Sequence, residues 1–206
     1  GVDKRSGEPH VNQIFLGGSS GAAGPYSDGW LTYLHAGNGG MCHIDSVEVS
    51  EHYQPLLVHG RHIVPDTEGA GWRRGAPALQ VDYGPIADGE LTVAYVSDGE
   101  KNPAVGVQGG LNSVPAWNLR YTRKNQKEPL PQSGLIDLAP GERVSCLSQS
   151  GGGYGPPEER EPSRVRNDVL EGIISPERAR QVYRVSVSTN GELNERETNQ
   201  LRKKTE

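Results

Sequence analysis

Phenylalanine, methionine and cysteine are nearly absent from this 206-residue chain, which holds one Phe, one Met and two Cys. Large core-filling side chains are therefore scarce. Val, Ile, Leu and Phe together supply 42 residues, close to the roughly 20% level below which a chain tends toward disorder. Cys42 and Cys146 lie far apart, so there is no disulfide framework. No run approaches the roughly 18 apolar residues of a membrane-spanning helix. Residues 1–10 are polar and charged, so no secretory leader is expected, and a cytoplasmic location is predicted. Basic residues are not in excess either: the net charge is −5 and the pI about 5.7. That removes the electrostatic case for nucleic acid or an anionic membrane as partner.

What the chain does have is glycine, 28 residues of it, standing where other domains place side chains. The core is thin, and a domain of this kind needs a neighbour to cover it. Four zones divide the sequence. Residues 1–76 hold all six histidines and most of the Gly-rich turns. Residues 77–149 read as antiparallel β structure, with alternating runs at Gln80–Tyr83, Glu90–Val96, Leu119–Thr122, Leu135–Leu138 and Arg143–Leu147. Gly84-Pro85, Asp88-Gly89 and Pro140-Gly141 supply turns between them. The runs at Leu119 and Leu135 are expected to face each other across a polar loop. Residues 150–187 carry a Gly-rich turn and then a helical hairpin: Val165, Val169 and Leu170 share one face, and Ser175-Pro176 opens the second helix as N-cap and first turn. Residues 188–206 form a polar tail, either a solvated helix or disordered. The fold class is α+β, a β-rich antiparallel sheet or sandwich with a C-terminal helical hairpin expected to dock on it.

Chemistry is sought first in residues 28–48, where His35, Cys42, His43, Asp45 and Glu48 are all competent metal ligands. Their spacing matches no standard zinc pattern, with neither C-x-x-C nor H-E-x-x-H. The structural alternative is a strand with Cys42, Ile44 and Val47 inward and His43 and Asp45 outward. Asn38, Asp45 and Glu48 flank a Gly-rich turn and are candidates to line a site. His52, His59 and His62 fit a solvated strand face. In Ser150-Gly151-Gly152-Gly153-Tyr154-Gly155-Pro156-Pro157 the Lys-Ser/Thr of a P-loop is missing and the prolines prevent a helix from opening. A close-packing turn is the favoured reading, with backbone amides contacting substrate as the alternative.

Taken in order, the motifs resemble the hydantoinase B/oxoprolinase family. Gly17-Gly18-Ser19-Ser20-Gly21-Ala22-Ala23-Gly24 precedes Asp28-Gly29-Trp30, and Gly37-Asn38-Gly39-Gly40-Met41-Cys42 precedes Asp45-Ser46-Val47-Glu48. Val64-Pro65-Asp66-Thr67-Glu68-Gly69-Ala70-Gly71-Trp72-Arg73-Arg74-Gly75 is similar to the family's PDSGGAGRYRGG pattern. Val96-Ser97-Asp98-Gly99, Gly106-Val107-Gln108-Gly109-Gly110, the Gly151 run and Ile174-Ser175-Pro176-Glu177-Arg178-Ala179 follow in the expected order. The resemblance covers the C-terminal portion of that family's B-type polypeptide. It implies an enzyme that uses ATP to activate a cyclic amide for hydrolysis, or a ketone for carboxylation. It further implies that a divalent metal binds on the N-terminal half of the B-type subunit, with ATP on an A-type subunit of the actin/hexokinase-like class. Both cofactors would then lie outside this chain, within a hetero-oligomer. No ligand residue is carried over, and Asp28, His35, Asn38, Asp45 and Glu48 would at most line the cavity. The sequence is compatible with a natural small subunit, a processed half or a proteolytic product. Two other classes compete: an assembly module without site residues, and a carbohydrate-binding sandwich built on residues 78–147.

Overall fold

The structure, a computed structural model, describes residues 1–13, 16–18, 20–31 and 44–203. Its centre is a five-stranded antiparallel sheet in the order β3-β4-β9-β6-β7, formed by Leu56–Ile63, Leu79–Pro85, Arg143–Leu147, Trp117–Tyr121 and Lys127–Leu130. A separate ladder joins β5 (Leu91–Val96) to β8 (Ser133–Leu138), and a short pair joins β1 (Val2–Asp3) to β2 (Glu8–Pro9). The alternation in β4 explains its place. Leu79 and Val81 turn to one face and cluster with Leu16, with Ile44, Val47, Val58 and Tyr83 packed around them, as the two-residue period of a strand requires.

The α+β class and the strand positions agree with the sequence, but the pairing does not. The Leu119 run pairs with Lys127–Leu130 and with β9, whereas the Leu135 run pairs with β5 (Ala94 opposite Leu135). The overlooked strand is β7, whose Lys-Glu-Pro-Leu sequence has low β propensity. Its position at the sheet edge tolerates Pro129. The strand reading of residues 42–47 also fails at its end. Val47 begins α1 (Val47–Tyr53), with the Ser46 hydroxyl accepting from Val49 N–H as N-cap. Cys42 and His43 lie outside the described residues.

The C-terminal helices α2 (Pro162–Leu170) and α3 (Pro176–Gln181) form the expected hairpin, with Ser175 accepting from Arg178 N–H at 3.1 Å. They have a core of their own: Val165, Val169, Ile173, Ile174, Ala179, Tyr183, Val185 and Val187, to which the rest of the chain adds Ala70. The hairpin therefore docks on residues 65–75 rather than on the sheet. Asp66 N–H donates to Ile173 O at 3.0 Å, and the Asp66 carboxylate accepts from Ser175 N–H at 2.6 Å. Glu68, buried, accepts from Arg178 Nε at 2.7 Å and from the Tyr183 hydroxyl at 2.9 Å. The polar tail contains a docked helix, α4 (Glu195–Lys203). Asn194 caps it by accepting from Glu197 N–H, Thr198 Oγ1 accepts from Ser186 N–H, and Arg202 donates to Arg160 O at 2.6 Å.

Two carboxyl groups in this region, the buried Glu68 and the half-buried Asp28, respond to pH with opposite sign. Burial pushes the Glu68 carboxyl above its ordinary value despite Arg178. The folded chain thus holds that proton more tightly than the unfolded one. Its contribution is fully present below the unfolded carboxyl range and is lost as pH rises through the folded value. Asp28 lies below its ordinary value, so its contribution is lost as pH falls. A Glu68→Gln variant, which cannot ionise, is expected to gain stability relative to the parent as pH rises from about 4 to 7. Urea denaturation of both proteins across that range measures the difference, and a constant difference would contradict the assignment.

Candidate functional site

Asp28 stands at the meeting point of the body and the C-terminal helices. Its carboxylate oxygens accept from Arg160 Nη1 at 2.8 Å and Nη2 at 2.9 Å, and Oδ1 also accepts from Arg74 N–H at 3.0 Å. Arg160 Nε reaches Asp168 Oδ2 at 2.9 Å, and Arg74 Nε reaches Asp168 Oδ1 at 2.8 Å. Trp72 O accepts a further bond from Arg160 at 3.2 Å. Two guanidinium groups and two carboxylates thus form a buried, charge-balanced quartet, with the more exposed Arg164 alongside Asp28 at 3.5 Å. Burial acts to raise the Asp28 carboxyl, but the Arg160 hydrogen bonds and the charges of Arg160 and Arg74 outweigh it and hold the group below its ordinary value. A carboxylate engaged in this way fixes the start of residues 28–48; proton transfer or metal ligation by it would require breaking the quartet.

The other candidates lie elsewhere. Glu48 sits exposed on the first turn of α1 and accepts from the Ser46 hydroxyl at 2.6 Å, which lowers its carboxyl below the ordinary value. Asp45 precedes that helix, and its backbone carbonyl accepts from Arg61 Nη1 at 2.7 Å. The carboxylates of Asp28 and Glu48 thus have different partners, three arginines against one serine. His35 and Asn38 lie outside the described residues. Among the described residues no group of three His, Cys, Asp or Glu is placed to hold a metal. Sequence reasoning missed Arg74, Arg160 and Asp168. One signal was available: Asp168 falls three residues after Val165 and next to Val169, on the buried face of α2, where an ionised group requires a partner.

Four amides of the glycine run are already engaged in backbone bonds. Gly151 N–H donates to Ala76 O at 2.8 Å, Gly153 to Leu111 O at 2.9 Å, Tyr154 to Arg73 O at 2.9 Å and Gly155 to Val107 O at 3.0 Å. The run is a central ribbon between residues 69–76 on one side and 104–114 on the other, so close that a Cβ on Gly153 would sit 2.1 Å from Ala70 O and one on Gly152 2.7 Å from Val105 O. The close-packing reading holds, and these four amides are not free to cradle a phosphate or an oxyanion.

A cavity of about 850 Å³ lies between the β5–β8 ladder and the main sheet, walled by residues such as Leu16, Leu79, Val81, Tyr95, Asn118 and Cys146. The size and apolar lining fall in the range of small-molecule sites. Burial pushes the Cys146 thiol up to about 11, so it stays protonated at neutral pH and is a poor nucleophile.

Residues 1–157 match the sequence profile of the family described as Hydantoinase B/oxoprolinase. The chain belongs to the hydantoinase B/oxoprolinase family. Among its relatives, the beta subunit of the caprolactamase of Pseudomonas jessenii is 29% identical over 95% of this chain and 34% of its own length. A protein of Pseudomonas sp. (strain NS671), assigned as the B-type subunit of a D-/L-hydantoinase, is 33% identical over 76% of this chain and 26% of its own. The crystal structure of the ATP-dependent caprolactamase of P. jessenii superposes with a TM-score of 0.71 at 26% identity, over 90% of this chain and 32% of that one. A nucleotide-free acetone carboxylase structure gives 0.76 at 19% identity over 99% of this chain and 32% of that one, a likeness of fold. The chain therefore matches about a quarter to a third of the length of these family members. The Gly-rich seam falls within the family match, whereas Arg160 and Asp168 lie beyond it. No helix among the described residues is long and apolar enough to cross a membrane.

Proposed function

We propose that this chain forms about a third of the B-type subunit of an ATP-dependent hydrolase that opens a cyclic amide, such as a lactam, a hydantoin or 5-oxoproline. The observation that carries the reading is the similarity to the caprolactamase beta subunit along 95% of the chain. The assignment of the second relative to a hydantoinase points the same way. In this reading ATP transfers its γ-phosphoryl group to the amide oxygen on an A-type subunit. Water then adds to the activated carbon, the C–N bond breaks to open the ring and leaves an acyl phosphate, and a second water hydrolyses that to the carboxylate and phosphate. The divalent metal sits on the N-terminal half of the B-type subunit, outside this chain, and residues 28–48 supply a wall of the cavity, with Asp28 as its anchor and His35, Asn38, Asp45 and Glu48 along it. Ketone carboxylation is the second reading, and the acetone carboxylase fold is compatible with it.

The two readings separate in one assay. The assembled enzyme, purified from its own cells through a tag on this chain, is incubated with ATP and either a lactam, a hydantoin or 5-oxoproline, or with ATP, bicarbonate and a ketone. Ring-opened product and ADP are expected with the cyclic amides, and no turnover is expected from the free chain. Turnover confined to the ketone would replace hydrolysis by carboxylation.

A further inference from the structure

The seam built by residues 69–76, 104–114 and 151–155 pairs much of its backbone internally but leaves Trp72, Val105, Val107 and Leu111 exposed. Val105 is 71% exposed, Val107 49% and Trp72 36%, and Leu111 is also exposed. They belong to one surface. Trp72 N–H and Val107 O both bond the backbone of Gly155, Gly153 N–H bonds Leu111 O, and a Cβ on Gly152 would meet Val105 O at 2.7 Å. At its border the Ala23 amide bonds Gly152 O, which brings in the turn carrying Tyr26, 92% exposed. The Arg73 guanidinium stacks on the Trp72 ring, 4.4 Å from its centroid, and its Nε is buried without a hydrogen-bond partner. Tryptophan and arginine at the centre of an apolar patch, with a tyrosine at its border, have the composition of an interface.

The helical side of the molecule offers a contrast. Among the described large apolar residues of α2, α3 and α4, Leu170 alone is exposed. That side has its own closed core, whereas the seam is unfinished. In the relatives about two-thirds of the polypeptide lies beyond the part that this chain matches, and that polypeptide must bury apolar surface against something. Resting on the reading of the chain as part of a B-type subunit, we infer that the exposed face of the glycine seam, centred on Trp72, Arg73 and Val107, is where the remaining polypeptide of that subunit packs. The occupant presents an apolar strip with a carboxylate or carbonyl opposite Arg73. Glycine is needed underneath because the three ribbons approach too closely to admit a Cβ.

Hydroxyl-radical footprinting of the assembled enzyme against the free chain tests the surface. Oxidation of Trp72 is expected to fall by about fivefold or more on assembly, as for a residue at the centre of an interface, and that of Tyr26 at the border to fall by less. Val107→Glu is expected to reduce the yield of assembled enzyme by about tenfold or more with the melting temperature of the free chain unchanged. Leu135→Glu, on the outward face of the β5–β8 ladder, is expected to assemble normally. If the assembled enzyme contains a further hydantoinase B-type polypeptide and Trp72 nevertheless stays fully reactive, or Val107→Glu assembles like the parent, the surface is wrong and the functional reading stands. If the enzyme contains no such polypeptide, the functional reading itself fails and the inference falls with it.

Discussion

Replacing Arg160 with alanine is expected to destabilise the chain by about 3–5 kcal/mol, the range for breaking a buried ion pair from one side. The reason is the charge count of the quartet. With Arg160 gone, Asp168 keeps only the guanidinium of Arg74, and Asp28 keeps the Arg74 backbone amide and the more distant Arg164. Asp28 is partly exposed and can recruit water, but Asp168 is only 4% exposed at its side chain and cannot. Lysine in place of Arg160 should recover part of the loss. One ammonium group cannot reproduce a bidentate bond to Asp28 together with bonds to Asp168 and Trp72 O. A double variant, Arg160→Met with Asp168→Leu, should cost less than the two single changes added together, because it removes the stranded charge along with its partner. Urea denaturation of the four proteins gives the coupling. Strict additivity would show that the quartet does not act as a unit.

Gly151→Ala is the second large effect, at least about 3 kcal/mol, above the usual span for one added methyl in a packed interior. The methyl would meet Gly21 O at 1.8 Å and Ala22 N at 2.9 Å, both backbone atoms that no side-chain rotation can move aside. A shift of the run would also strain its bonds to Ala76 and Gly69. Gly24→Ala serves as the control, since nothing lies within 4 Å of a Cβ there, and it should fall within about 0.5 kcal/mol of the parent. Equal effects at the two positions would remove close backbone approach as the reason for the glycines.

The same residues show what could be read without coordinates. The Gly151 run was legible as a packing element because two prolines and a missing lysine exclude the phosphate-binding alternative. The alternating strands and the Ser175-Pro176 helix start were legible because each depends on a few adjacent residues. Which strands pair was not. One partner of β6 is a four-residue edge strand with a proline in it, and that choice depends on where the whole sheet ends. The α4 helix was ambiguous because its composition is polar throughout, and it is held by Asn194 capping, Thr198 and Arg202 rather than by an apolar stripe.

The ion quartet was least legible of all. Arg160 and Asp28 are 132 residues apart in sequence, and no local pattern links them. Asp28 was read from its neighbours as a site-lining residue, and the structure gives it an anchoring position at the head of residues 28–48. Asp168 on an otherwise apolar helix face was the one local trace of a buried ionic partnership.

The central claim is that this chain is part of a composite enzyme, and native mass spectrometry of the active species tests it most directly. The expected result is that ATP-dependent ring opening travels with an assembly containing this chain, further hydantoinase B-type polypeptide and an ATP-binding subunit. Ring opening of a lactam or hydantoin by a species of 22.2 kDa, the mass of the chain alone, would contradict it.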